Sequence, residues 1–370
     1  MAKWICVLDI GQFSSKIGWG GENEPRYTFY TVTGVPKYTQ MAGSVQSKEI
    51  YVGNEIMDSI GLYKITFPIQ ENEIQDWDMF KEILNYVFYM LRVDPTQVHI
   101  LNIVNPFYSK QTKKKLFSLF LEDYQVRAYY PVRSALLTMY SGGFDTGLVV
   151  DMGAQSIRIT PIYESYIIDH AVDMLELGGL ILDKFMVKKA NEMGFDAKTS
   201  AKKQLLRLLK ELACFVSMDY SKDIENPEKF KQDYSLPDGT TFNVGRERFE
   251  VPELFFKPQL FNKEVPPLPQ KIIDVVEACD VDIRRDLLTN IFLTGGSSLF
   301  PNLAKRLKIE IESQLVKDGK TYQNVRVIAP NQRHMSNWIG GSILSQIPEF
   351  QENWVNRKQY FEEGIPEDLM

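Results

Sequence analysis

Apolar positions along this 370-residue chain follow two rhythms. Short unbroken apolar runs at 6–8, 147–150 and 291–294 predict buried strands, and each runs straight into turn chemistry: Asp9-Ile10-Gly11, Asp151-Met152-Gly153 and Gly295-Gly296. Between them, apolar residues at three- and four-residue spacing predict amphipathic helices over 77–91, 109–124, 203–219 and 298–314, the last with Pro301 near its first turn. No low-complexity tract or long linker interrupts the alternation, which argues an α/β architecture.

Two of these strand-and-turn units repeat. VLDIGQFSSKI at 7–17 and VVDMGAQSIRI at 149–159 superimpose without gaps: apolar strand, Asp, any residue, Gly, four residues, a base, then a β-branched residue. The repeat predicts two related lobes, each opening on a β-hairpin. At such a turn backbone N–H groups form a nest that suits phosphate oxygens, and glycine allows close backbone approach. The preceding Asp suits a hydrated Mg²⁺ bridging phosphates. The base seven residues after it, Lys16 or Arg158, is within reach of the same phosphates. The P-loop GxxxxGK[ST] and the dinucleotide GxGxxG patterns are absent.

Composition narrows the chemistry further. The net charge is −6, with no basic stripe to suggest nucleic acid; the run at 113–115 reads as a solvated helix face. Cys6, Cys214 and Cys279 are too scattered for a disulfide framework or a CxxC site, and the three histidines lack metal-ligand spacing. The first ten residues read as a strand rather than a signal peptide, and no uncharged stretch approaches the ~20 residues of a membrane helix. A soluble, intracellular protein is expected.

The three turn elements, in this order, resemble the actin–chaperone–sugar kinase superfold. The resemblance to actins and actin-related proteins is tighter and covers nearly the whole chain. It is carried by DIGQFSSKIGWGGENEPR (9–26), YVGNE (51–55), LRVDP (91–95), PIYESY (161–166), YSLPDG (234–239), CDVDIRRDL (279–287), GGSSLFPNLAKRL (295–307) and IAPNQR…NWIGGSIL (328–344). It implies a two-lobed ATPase-type fold, each lobe a duplicated ribonuclease-H-like core with a smaller subdomain. The outer lobe would span 1–141 and 336–370, with a small subdomain at 31–67. The inner lobe would span 142–335, with a small subdomain at 178–263. It further implies ATP or ADP in an interlobe cleft, with water-held Mg²⁺ (or Ca²⁺ in vitro) near Asp9 and Asp151. Matching positions put Asp9, Gly11, Gln12, Phe13, Lys16, Asp151, Gly153, Ala154 and Gln155 at the phosphates and cation. Gly179 falls near the ribose, Arg207, Lys210 and Glu211 along the nucleoside, Gly295, Gly296, Ser297 and Phe300 at the adenosine floor, and His334 beside the adenine. From the residues alone, Lys210 and Glu211 would read as an exposed charge pair.

The departures from the family pattern bear on catalysis. A further Asp and Gly of the second hairpin are here Ala154 and Gln155, and the active-site His falls on Arg158. The water-orienting Gln falls on Ser134, beside Arg133; the Ser and second Gly of the first hairpin are Gln12 and Phe13. Phe13 is awkward where a turn amide must approach phosphate. For assembly, the segment 38–48 matches the loop actins insert into a neighbour and keeps apolar Met41 and Val45 after Tyr38. Phe261 matches the cross-strand plug, though Lys263 and three prolines surround it. Tyr140, Tyr166, Ile343 and Leu344 match a cleft for actin-binding partners.

The resulting expectation is a structural subunit of filaments or an actin-like assembly, with weak or absent ATP hydrolysis, in the cytoplasm and cytoskeleton, with the nucleus as an alternative. Its partners would be itself, other actin-like subunits or actin-binding proteins, with neither direct nucleic acid nor membrane contact. One alternative is a polymerisation-coupled ATPase. Another is a non-polymerising subunit of a capping or chromatin-remodelling complex.

Overall fold

The computed structural model describes residues 4–37, 49–235, 239, 241–320 and 324–370. The chain divides into two compact units, residues 1–143 with 335–370 and residues 144–334.

The first unit is built around a six-stranded sheet. Its order is Val355–Asn356, Ala128–Arg133, His99–Val104, Ile5–Ile10, Ser14–Trp19 and Tyr27–Tyr30. The Ile5–Ile10 strand is central and buried at all six positions, as expected of a strand covered on both faces. It pairs in parallel with His99–Val104 and antiparallel with Ser14–Trp19. Its period-two side chains feed two cores. Cys6, Leu8 and Ile10 join Phe80, Ile83, Val87, Leu116 and Phe120 from the helical segments on one face. Ile5 and Val7 join Leu137 and Trp338 on the other, where the Trp338 indole donates to the Val7 carbonyl at 3.1 Å. The helix Trp77–Leu91 matches its predicted span. Asp76 caps it by accepting from the Met79 amide at 3.0 Å, and left-handed Arg92 ends it. The predicted helix at 109–124 is a helix over Lys110–Ser118, capped by Ser109, that runs into a π-helical turn at Leu119–Asp123.

A smaller layer within this unit pairs Thr33–Pro36 with Tyr51–Val52 and Tyr63–Thr66. With the helix Asn54–Asp58 it encloses Val32, Ile56, Met57 and Ile60.

The second unit repeats the strand-and-hairpin plan. Its main sheet runs Tyr166–Ile167, Ile157–Tyr163, Gly147–Met152, Ile291–Thr294 and Val327–Ile328. Gly147–Met152 pairs antiparallel with Ile157–Tyr163 and parallel with Ile291–Thr294. Leu148, Val150, Met152, Ile157 and Ile159 pack into one large core with Ile272 and Val276 of the helix Leu268–Glu277 and Leu307 and Ile311 of the helix Leu303–Lys317.

Two predicted helices shift. The one expected over 203–219 spans Ser200–Ala213, capped by Thr199, because Cys214 turns extended. The one expected over 298–314 starts only at Leu303: Asn302 takes a left-handed φ of 68°, so Pro301 stands before the helix rather than in its first turn.

Candidate functional site

In the first unit the site residues sit on the hairpin of Ile5–Ile10 and Ser14–Trp19. Asp9 lies directly across the ladder from Lys16, with the ammonium 3.3 Å from Oδ2 and both residues buried. The Gly11 amide donates to the Ser14 carbonyl at 3.1 Å and closes the turn. The second unit builds the same device. Asp151 faces Arg158 across Gly147–Met152 and Ile157–Tyr163, Arg158 Nη2 donates to Asp151 Oδ2 at 3.0 Å, and the Gly153 amide donates to the Ser156 carbonyl at 3.0 Å. The gapless sequence repeat is thus a repeat of geometry. Lys16 and Arg158 each pair with the cross-strand aspartate of their own hairpin. A seven-residue offset across a four-residue turn makes the two positions ladder partners.

The Phe13 side chain is taken up by neighbouring aromatic rings. Its ring leaves the turn and packs edge-on against Tyr30, with centroids 5.1 Å apart, and stacks near Phe67 at 6.5 Å, beside the small core of Val32, Ile56, Met57 and Ile60. Its carbonyl accepts from the Thr31 amide at 2.9 Å. The bulky side chain therefore ties the hairpin turn to the small layer.

In the second unit, two segments converge on the hairpin turn. The helix Gly179–Glu192 aims its first amides at it: Gly179 N–H donates to the Gly153 carbonyl at 3.1 Å and Leu180 N–H to the Ala154 carbonyl at 2.8 Å. Ser297 Oγ donates to the Gly153 carbonyl at 2.9 Å. Two glycines permit this convergence. A Cβ on Gly178 would lie 2.3 Å from the Ala154 oxygen. One on Gly295, whose φ is +84°, would lie 2.4 Å from the Met152 oxygen and 2.8 Å from Asp151 Oδ1. Gly153, Ala154, Gly179, Gly295 and Ser297 are therefore brought together, whereas Gly296 faces open space. Phe300 is buried in the large core, 6.0 Å from Phe255. His334 is half-buried in the short helix Arg333–Met335.

Arg207, Lys210 and Glu211 share the helix Ser200–Ala213 but not one environment. Lys210 is buried and Glu211 exposed, which corrects the reading of an exposed pair. The sequence reading missed what holds the first two. Asp183, from the helix Gly179–Glu192, sits 2.6 Å from Arg207 Nη2 and 2.8 Å from Lys210 Nζ. The only signal in the sequence was an acidic residue on a helix that must pack against two bases.

Ser134 begins the helix Ser134–Gly142 and is buried. Cys6, Cys214 and Cys279 are free and buried. Burial pushes the Cys214 thiol up to about 12 and raises those of Cys6 and Cys279, so none is a ready nucleophile. The contact residues differ among themselves. Tyr166 and Ile343 are exposed. Leu344 is buried among Leu137, Trp338 and Phe350, which removes it from any partner surface. Tyr140 is half-buried against that core, and Phe261 packs on Phe185 at 5.2 Å. Tyr38, Met41 and Val45 lie outside the described residues.

Backbone turns of this kind suit phosphate oxygens in general. A divalent cation fits less fully. Each hairpin offers one aspartate already faced by its own base, and the described residues gather no group of three His, Cys, Asp or Glu side chains. No helix among the described residues is long and apolar enough to cross a membrane. Two sheets opening on matched Asp-x-Gly hairpins, with a glycine turn closing beside the second, reproduce the arrangement the sequence resemblance implies. The Actin family model matches residues 4–366, and the chain belongs to the actin family.

Proposed function

We propose that this chain is an actin-like structural subunit that binds ATP through its two hairpin turns and hydrolyses it weakly or not at all. The supporting observation is the pairing of retained binding parts with replaced catalytic ones. Asp9, Gly11, Asp151, Gly153 and the Asp183-held Arg207 and Lys210 keep positions suited to phosphates, a water-held cation and the nucleoside. At the water-activating positions stand Ser134, too short to reach where a glutamine reaches; Ala154, with no charge; and Arg158, which is bound to Asp151 and cannot take a proton. Bound cation would lend charge neutralisation to the phosphates, and the residues' own task is to hold the turns and exclude rearrangement.

The test is sedimentation of purified protein with ATP, together with phosphate release from the assembled fraction. The triple variant Ser134→Gln, Ala154→Asp, Arg158→His is run beside it. Wild type should release phosphate at least ~10²-fold more slowly than a conventional actin, and the triple variant should gain rate. A wild-type rate equal to a conventional actin's refutes the reading. Met41→Asp with Val45→Asp should abolish pelleting. A second reading, a non-polymerising subunit, is favoured by Phe261, whose ring is engaged by Phe185 rather than projecting; an unassembled wild type that still binds ATP would select it.

A further inference from the structure

We infer that Arg158 supplies the charge a divalent cation would otherwise bring to the second hairpin, so that this chain holds nucleotide phosphates with little dependence on Mg²⁺. The inference rests on the nucleotide reading above and assigns the source of positive charge at that same turn.

The geometry is local to the second unit. Arg158 Nη2 donates to Asp151 Oδ2 at 3.0 Å, with side-chain exposures of 19% and 8%. The same Nη2 lies 3.7 Å from where a Cβ on Gly153 would stand, so the guanidinium runs alongside the turn whose backbone suits phosphate. Cross-strand pairing with Asp151 and the hairpin register fix it there. Its Nε is buried and makes no hydrogen bond within the protein, so it is the outer end of the guanidinium, with Nη2 beside the turn, that would meet a phosphate. A guanidinium carries five donors in a planar fork, stays charged at any working pH and matches phosphate oxygens well.

Charge accounting supports the same conclusion. Asp151 brings one negative charge, Ala154 none and Arg158 one positive, so the turn is neutral before any ligand arrives. A hairpin with a second aspartate at 154 and a neutral histidine at 158 would carry two negative charges. Phosphates could then approach only with a cation between. The two replacements together shift the site by two positive charges, the charge of one Mg²⁺. An anchored arginine also costs no reorganisation when phosphate binds, because Asp151 already holds it in place. The first hairpin is neutral as well, but there Lys16 balances Asp9 with a compact ammonium at 3.3 Å rather than a planar fork of donors.

The experiment measures ATP affinity of the full chain by calorimetry, in MgCl₂ and in EDTA, for wild type, Arg158→His and Arg158→Lys. Circular dichroism checks that each variant is folded. Wild-type affinity should fall less than about threefold in EDTA, Arg158→His should fall more than about tenfold, and Arg158→Lys should lie between. Wild type that binds in MgCl₂ but loses more than tenfold in EDTA overturns this inference and leaves the nucleotide reading standing. Absence of ATP binding in both buffers overturns the nucleotide reading, and this inference falls with it. If Arg158→His does not fold, the wild-type comparison alone still decides.

Discussion

Asp183→Asn removes one charge and almost no volume, so its effect reports the electrostatic clamp directly. In the native protein the Asp183 carboxylate faces Arg207 through Nε at 2.7 Å and Nη2 at 2.6 Å, and Lys210 through Nζ at 2.8 Å. Side-chain exposures are 15% for Asp183, 14% for Arg207 and 7% for Lys210, so solvent screens these pairs little. The amide would leave two buried cations facing each other across a neutral group. Removing one partner of a buried pair costs about 3–5 kcal/mol, because the remaining charge stays desolvated. The two pairs share one carboxylate, so their losses should not double. For a unit of 150–250 residues each kcal/mol is worth about 2–4 °C of melting temperature. Asp183→Asn should therefore lower the melting of the second unit by about 10 °C, read by calorimetry so that the two units' transitions can be separated. A paired control is Asp196→Asn, whose partner Lys198 is 86% exposed; it should move the melt by less than about 2 °C. If Asp183→Asn melts with wild type, or the two variants shift alike, the clamp is not what holds Arg207 and Lys210.

Two further predictions use other parts of the fold. Glu253 is fully buried, with Arg306 at 3.7 Å and Lys257 at 3.9 Å, neither close enough to hydrogen-bond well. Burial pushes its carboxyl from 4.5 up to about 7, with Arg306 opposing the rise. The folded state then holds this proton longer than the unfolded state, so its contribution is intact below pH 4.5 and lost as pH climbs through 7. That interval corresponds to about 3 kcal/mol. Denaturation at pH 5 and pH 8 should show Glu253→Gln gaining relative to wild type at the higher pH, and a gain at the lower pH instead would reverse the argument. Phe13→Ala should loosen the layer formed by Thr33–Pro36, Tyr51–Val52 and Tyr63–Thr66, since it vacates the half-buried site between Tyr30 and Phe67. Losing about 1–3 kcal/mol there should speed amide exchange across that layer by about tenfold or more, and unchanged exchange would show the ring to be dispensable.

The candidate site was legible in part. Gly11 and Gly153 were readable because a four-residue turn between two apolar strands leaves few other roles for an Asp-x-Gly. Lys16 and Arg158 were recognised as bases near the turn, but their pairing with Asp9 and Asp151 was not legible, because ladder register follows from backbone pairing and not from residue type. Asp183 was missed for a similar reason. Its partners lie on another helix, 24 and 27 positions away, and nothing local in the sequence marks the helix face it occupies.

The sequence by itself determined the elements whose physics is local. Unbroken apolar runs had to be strands covered on both faces, the Trp77–Leu91 stripe had to be a helix with Asp76 to cap it, and the gapless repeat had to fold twice into the same hairpin. Tertiary structure alone decided the rest. It stopped the helix after Ala213 and delayed the next to Leu303, where backbone conformation at Cys214 and Asn302 overrode apolar periodicity. It buried Leu344 and Phe300 in cores, because burial depends on what packs over a residue and not on its own hydrophobicity. It also turned Phe13 out of the hairpin turn and Arg158 onto Asp151. These outcomes depend on contacts between distant segments, whose energies exist only once the chain has brought those segments together.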